Sequence, residues 1–369
     1  MKEISDNTNE PFLRKDTIVV GGGQAGLATG YHLTRHNIDF AILDARQRTG
    51  DSWRERWDSL RVFTPARYCS LPGMPFPGPD SRCPYKDEVA DYLETYAQHL
   101  ELPLYHNMRI DKLSRVDDHF VLKSGRKRIE ANNVIVAMSG YQHSVKPDFA
   151  KKLRPEIRQI HSGVYKNPSQ YRPGGVLVVG ASDSGCEIAM EAVATHETWL
   201  SGRHPGHVPF AIDGMFGKLI GVRLVIGLAF HHFLSLDTPV GRRVRPKLVG
   251  STGPNVRLHP KHIRKAGIQR IPKIINVDDG LPVPEGCGPM DVQNVVWCTG
   301  FRPNFEWIDI ESVKNRKHPK DPPHQSGIMT DEAGLYFVGL FFTHALSSSL
   351  LRGVSRDAKR VVNHLVEYR

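Results

Sequence analysis

Short apolar runs alternate with amphipathic stretches along this chain in a strand-to-helix rhythm. Residues 17–20, a β-branched run, lead directly into Gly21-Gly22-Gly23-Gln24-Ala25-Gly26, and residues 27–36 have helical composition. A second apolar run, 40–43, ends at Asp44. The same order recurs at 176–179, followed by Gly180-Ala181-Ser182-Asp183-Ser184-Gly185, a predicted helix over 186–195 and a strand over 198–201. Between the two glycine loops the pattern predicts a helix over 86–99 and an antiparallel meander of 110–116, 120–123 and 127–131. A buried strand over 134–137 comes next, running into Met138-Ser139-Gly140-Tyr141. Residues 295–301 repeat that strand and small-residue turn. A third such strand, 335–338 with Gly339, precedes Ser347-Ser348-Ser349 and a predicted helix over 350–366.

The glycine loops carry the chemistry. Gly21 suits the tight turn, Gly23 lets a backbone approach a pyrophosphate, and Gly26 lets the helix pack on its strand; the free N–H groups and dipole of the helix start then face the phosphates. Asp44 can accept both ribose hydroxyls and repels a 2′-phosphate, so the first loop suits FAD or NAD. In the second loop Ser182 replaces the middle glycine and no acid ends the next strand; Gly202 and Arg203 follow instead. A guanidinium there matches a 2′-phosphate, so the second loop favours NADPH. The expected fold is α/β, two dinucleotide-binding Rossmann-like domains with the NADPH domain inserted into the FAD domain. Its divisions are 14–150 with 291–369 for FAD, 151–290 for NADPH, and a loose arm over 1–13.

Composition narrows the partners. A chain of 369 residues, 40% hydrophobic and 24% charged, suits about two globular domains. The net charge is +10, with basic clusters at Arg242, Arg243, Arg245 and Lys247 and at Lys261, Arg264 and Lys265. Without a nucleic-acid motif these read as solvated faces, and no nucleic-acid partner is expected. Five cysteines, none in a C-x-x-C pair, argue against a disulfide framework, a zinc site or a dithiol centre and favour a cytoplasmic location. His259 and His262 are too isolated for a metal site, and none is expected. The polar N-terminus lacks a signal segment. The apolar stretch 219–236, broken by Arg223, His231 and His232, predicts a buried or surface-docking helix in place of a membrane span. No G-x-S-x-G elbow supports hydrolase chemistry.

Further motifs stand beside the glycine loops: Gly50-Asp51-Ser52-Trp53-Arg54, residues 60–65, Leu71-Pro72-Gly73-Met74-Pro75-Phe76-Pro77, Trp297 to Pro303, Gly334 to Gly339 and Leu350-Leu351-Arg352-Gly353-Val354. Together they resemble the flavin-containing monooxygenase superfamily, most closely its bacterial and plant, YUCCA-type single-chain branch, some bacterial members of which carry a potassium-transport label. The resemblance implies FAD and NADPH as cofactors. It implies FAD contacts at Gly21, Gly23, Gln24, Ala25, Gly26, Asp44, Ser52, Trp53, Thr64, Ile110 and Gly339. On the NADPH side and the domain junction it implies Gly180, Ser182, Asp183, Ser184, Gly185, Arg203, Thr299 and Gly300.

The implied reaction passes hydride from NADPH to the flavin and uses oxygen, through a C4a-(hydro)peroxyflavin, to oxygenate a small organic substrate: a sulfur or nitrogen nucleophile, a ketone or a 2-oxo acid. Of a histidine motif common in oxygenating members the chain keeps His161 and Tyr165 but has Pro155 and Ile157 where phenylalanine and glycine stand, and Asp183 replaces a common asparagine. An NADPH-dependent flavin reductase or oxidase, and a non-catalytic redox sensor, therefore stay open as alternatives. No catalytic side chain is assigned; His344 is placed near the flavin ring.

Overall fold

A computed structural model describes residues 12–208, 221–249 and 254–368. The chain opens with β1 (Leu13–Val20), the glycine loop, α1 (Gln24–Arg35) and β2 (Phe40–Leu43), then the short α2 (Asp51–Arg54), α3 (Lys86–His99) and β3 (Leu104–Tyr105). The meander β4 (Lys112–Val116), β5 (His119–Ser124), β6 (Lys127–Val136) follows, and then β7 (His143–Ser144). β1 lies parallel between β2 and β6, with Val19 beside Ile42 and Ile135. Successive β1 side chains serve opposite faces. Val19 packs with α1, α3 and the C-terminal helix, whereas Ile18 and Val20 pack under the meander with Leu113 and Phe120. Each such fully buried aliphatic side chain contributes about 1.5–3 kcal/mol.

The chain then builds a second sheet from β8 (Arg158–His161), β9 (Val176–Val179), α4 (Asp183–Ala192) and β10 (Thr198–Ser201). An 11-residue π-helix (Arg223–Phe233), α5 (Pro239–Leu248) and α6 (Pro260–Lys265) follow, then β11 (Gln269–Ile271), the separate hairpin β12 (Ile274–Asp278) and β13 (Leu281–Pro284), and β14 (Asn294–Trp297). The sheet order is β11-β10-β9-β14-β8, all parallel. The chain returns through β15 (Phe301–Arg302), β16 (Ile308–Asp309), α7 (Glu311–Lys314), β17 (Leu335–Phe337) and α8 (Leu351–Glu367). β16 adds beside β4 and β17 beside β6, so the first sheet is finished only after the second has been made. The fold is α/β with two dinucleotide-binding units.

Three expectations change. Residues 127–131 and 134–137 are one strand. Its first half pairs with β5 and its second with β17, so a single extended segment passes from meander to parallel core. The first strand begins at Leu13, paired with Ile129, which shortens the expected arm; residues 1–11 lie outside the described residues. β14 belongs to the second sheet, between β8 and β9, so the return expected at residue 291 comes later, after Trp297. An apolar run of four cannot by itself say which sheet it completes. Asn294 decides it. Fully buried, its Nδ2 donates to the carbonyls of Arg172 and Gly175, and its Oδ1 accepts from Arg172 N at 2.8 Å. Within the apolar stretch 219–236 the expected helix forms over Arg223–Phe233, wound as a π-helix, and residues 219 and 220 lie outside the described ones.

Replacing Asn294 by alanine removes three hydrogen bonds at once, and we expect a loss of about 2 kcal/mol in urea unfolding. Unchanged stability would show that the second sheet does not depend on this clamp.

Candidate functional site

Both glycine loops begin where a parallel strand ends. Gly21 (φ +111°) and Gly180 (φ +111°) adopt a backbone that L side chains rarely reach. A Cβ on Gly21 would lie 2.9 Å from the Ala137 carbonyl oxygen, and one on Gly180 would lie 2.2 Å from that of Cys298. Ala137 and Cys298 are the residues from which the chain leaves one sheet for the other. The two loops therefore abut the two crossovers. Gly26 and Gly185 press on the first residue of their own loops, where a Cβ would fall within 1.8 and 1.7 Å of the carbonyl oxygens of Gly21 and Gly180.

Gly23 differs from these. At φ −80° it needs no glycine for its backbone, and nothing lies within 4 Å of the place its Cβ would take. It is the N-cap of α1, which has no side-chain cap and no acid in its first turn. Free amides thus face open space, the arrangement that binds an anion. Beside it, Asp44 Oδ2 accepts from Gly22 N at 2.8 Å and Oδ1 from Arg46 N at 2.9 Å, which fixes the carboxylate at the rim of the loop with lone pairs remaining. Gln24 is tied away, donating from Nε2 to the Ser349 carbonyl, and Ala25 touches Gly339, where a Cβ would lie 2.7 Å from it. The loop before α8 is thereby held against the first glycine loop.

The other residues expected on the flavin side are spread through the packing. Ser52 lies on α2, and Trp53 packs against the core between α1 and α3. Thr64 is buried with its hydroxyl against Cys69 Sγ at 3.3 Å, and the Ile110 side chain is buried under the meander. Any ligand contact by Ile110 is left to its backbone.

In the second loop Ser182 is the N-cap of α4, again with no side-chain cap, and Ser184 follows in the first turn. Asp183 turns away from the loop and accepts from Val256 N at 2.9 Å. Burial raises its carboxyl to about 6, against the opposing pull of that hydrogen bond and of Arg257. Asn255, fully buried, donates to the Ala181 carbonyl at 3.1 Å and braces the same turn. The asparagine missing from the loop is thus matched by one from a distant segment, which no local motif signals. Arg203 is exposed just beyond Gly202 (φ +113°), and Arg270 of β11 donates to the Gly202 carbonyl. Sequence reading missed Arg270; the parallel register of Leu200 with Arg270 brings it there.

The crossovers themselves are strapped together. Thr299 Oγ1 donates to the Val145 carbonyl, Val145 N donates to the Gly300 carbonyl at 3.0 Å, and β15 pairs with β7. Arg56 stands over the rings of Tyr141 and Phe301, and Phe301 meets His161 edge-on at 5.0 Å. Neither nitrogen of His161 is free: Nε2 bonds the Gly300 carbonyl at 3.1 Å and Nδ1 accepts from Gly163 N, while burial lowers its pKa. Tyr165 lies in the second core and donates to Glu191.

His344 takes a role other than the one expected. It is buried, with Nδ1 against Ser326 Oγ and Nε2 against both Asp237 and Arg360, and its pKa is lowered by burial with Asp237 opposing. It links the connector after the π-helix to α8. His259 and His262 cap α6, and among the described residues no group of metal ligands assembles. A cleft of about 740 Å³ near Tyr171, Gly174 and Glu197 opens at the opposite end of β9 from the glycine loop, and ligands of parallel sheets bind at the carboxyl ends of strands.

A family model described as pyridine nucleotide-disulphide oxidoreductase matches residues 18–204. The chain belongs to this family. It is 36% identical over 360 residues to an uncharacterized CzcO-like oxidoreductase of Geobacillus kaustophilus, covering 96% of this chain and 99% of that one. To the probable indole-3-pyruvate monooxygenase YUCCA8 of Arabidopsis thaliana it is 30% identical, covering 94% and 88%. The fold matches that of a flavin-containing monooxygenase from Stenotrophomonas maltophilia with a TM-score of 0.78 at 24% identity, covering 96% and 99%. The family is one of oxidoreductases, and membership of the flavin-containing monooxygenase superfamily, expected from the motifs, holds. Among the described residues no helix is long and apolar enough to cross a membrane.

The Asp183 geometry sets a pH dependence. A carboxyl held near 6 in the folded chain and near 4 when unfolded binds more protons folded than unfolded in between, so stability falls as pH rises from about 4 to about 6. Asp183→Asn keeps an acceptor for Val256 N and removes the charge. We expect thermal unfolding of the variant to show a flatter slope across that window and higher stability at neutral pH; an unaltered slope would refute the assignment.

Proposed function

We propose that the first glycine loop holds FAD and the second NADPH, and that the protein is a flavin-dependent monooxygenase that oxygenates a small organic substrate with O2. The observation that carries this reading is the pair of uncapped helix starts, α1 and α4, each abutting a crossover, with a carboxylate at the rim of one and two guanidinium groups at the rim of the other. The amides of the first turn of α1 bind the pyrophosphate of FAD, with Asp44 accepting ribose hydroxyls. The amides of α4 bind the pyrophosphate of NADPH, and Arg203 and Arg270 take its 2′-phosphate. The flavin, when bound, supplies hydride acceptance and oxygen activation.

The chain's own part is positional. The strap of Thr299, Gly300 and Val145 fixes the spacing of the two units, and Arg56 over the Tyr141 and Phe301 rings, with Phe301 edge-on to His161, packs the seam between them. Because Asp183 is bonded to Val256 N, its charge is turned from the phosphates that a carboxylate at this position would otherwise repel. One observation favours a second reading, an NADPH-dependent flavin reductase or oxidase that reduces O2 without inserting it. Both nitrogens of His161 are bound to backbone, so this motif residue offers no proton donor or acceptor to a reacting oxygen.

Anaerobic NADPH should bleach the flavin. On admitting oxygen, a monooxygenase yields oxygenated product from a panel of sulfides, amines, ketones and 2-oxo acids; stoichiometric hydrogen peroxide with no product would establish the second reading. Gly23→Val should fold with unchanged circular dichroism yet purify without flavin, and retention of the yellow cofactor would contradict the cradle. Removing both Arg203 and Arg270 as alanines should raise the KM for NADPH by about 10–100-fold with little change for NADH.

A further inference from the structure

Residues 221–249 take no part in either glycine loop, and their outer face combines large exposed apolar side chains with a run of cations. The wide turn of the π-helix sorts its side chains at spacings of four and five. Inward, Val222 is buried, Gly227 meets the Tyr68 ring and His231 bonds Ser347. Outward, Leu224, Leu228 and Phe233 stand 51%, 58% and 54% exposed. Five residues on, α5 turns Pro239, Arg242, Arg243, Pro246 and Lys247 to solvent, with Val240 39% exposed, and has no carboxylate along its length. Its inner arginine, Arg245, is paired with Asp321 and the Phe342 carbonyl. The connector between the two helices is held firmly, with Leu236 N bonded to the His344 carbonyl, Leu346 N to the Leu234 carbonyl, and Asp237 to the His344 ring. The apolar stripe and the basic face are thus carried on an anchored element.

Large apolar side chains kept in water beside basic ones make up the composition of an element that lies in a bilayer interface. We propose that residues 223–247 dock this protein on an anionic lipid surface, with Leu224, Leu228 and Phe233 entering the boundary between headgroups and acyl chains and Arg242, Arg243 and Lys247 meeting lipid phosphates. Charge complementarity selects this occupant. A second copy seated on the same face by two-fold symmetry would set α5 against its own image in a chain of net charge +10, a like-charge contact.

The test is flotation of the full-length, flavin-loaded protein with phosphatidylcholine vesicles, with and without phosphatidylglycerol. Binding should be at least about tenfold stronger with the anionic lipid and should weaken with added salt. Leu224→Ser with Leu228→Ser should cut binding by about tenfold or more, since each leucine forfeits its apolar burial. Arg242→Gln, Arg243→Gln and Lys247→Gln together should abolish the lipid preference. All five side chains are exposed, so unchanged thermal unfolding and NADPH oxidation report an intact protein. Absence of binding, indifference to lipid charge, or full binding by the leucine variant would overturn the proposal. So would capture by RNA without vesicle binding, or a dimer broken by the leucine changes without vesicle binding.

Discussion

The architecture depends on two close backbone approaches, Gly21 against Ala137 and Gly180 against Cys298. In each, the glycine loop that opens a helix is pressed on the residue from which the chain leaves its sheet. A side chain at either glycine would force the loop off its strand and the crossover off the loop. Because the same two points begin the helices and end the strands, the uncapped helix starts are brought to the junction of the two units.

That constraint explains the order of construction. The first sheet is opened by β1 to β6, interrupted by the second, and completed by β16 and β17 after the return. The strap of Thr299, Gly300 and Val145 closes the interruption with hydrogen bonds worth about 0.5–1.5 kcal/mol each in the partly buried seam between the cores. Lys166 adds a second tie, donating from the inserted unit to the Glu55 carbonyl at 2.7 Å just past α2. Two covalent crossings and several polar ties leave the junction with a defined shape, and a hydride donor and acceptor held on either side need no acid or base between them.

Buried charge at the second loop is resolved by distance in sequence. Asp183, Arg257 and Glu187 form a cluster in which burial raises both carboxyls and the guanidinium, 3.1 Å from Glu187, holds them back. Val256 N and Asn255 complete the turn. A carboxylate that by its position opposes a phosphate becomes a clamp for another segment, and α4 keeps its free amides. In the same way His344, by position a candidate beside the cofactor, is consumed in holding Asp237 and Ser326.

Most of the fold was legible because its signals are local. A β-branched run, a glycine at positive φ and an amphipathic stretch each record the conformation of their own few residues, so both strand, loop and helix units, the meander and α3 could be read in order. Partnership was not legible. Whether 294–297 joins the first sheet or the second, that one strand spans 127–136, that Arg270 reaches Gly202, and that Asp183 faces Val256 are matters of register and packing between segments far apart in the chain. The sequence by itself determined the two glycine loops and the helix starts that follow them. Only the tertiary structure decided which charges stand beside them, because a side chain's chemistry is local while its neighbours are chosen by the whole core.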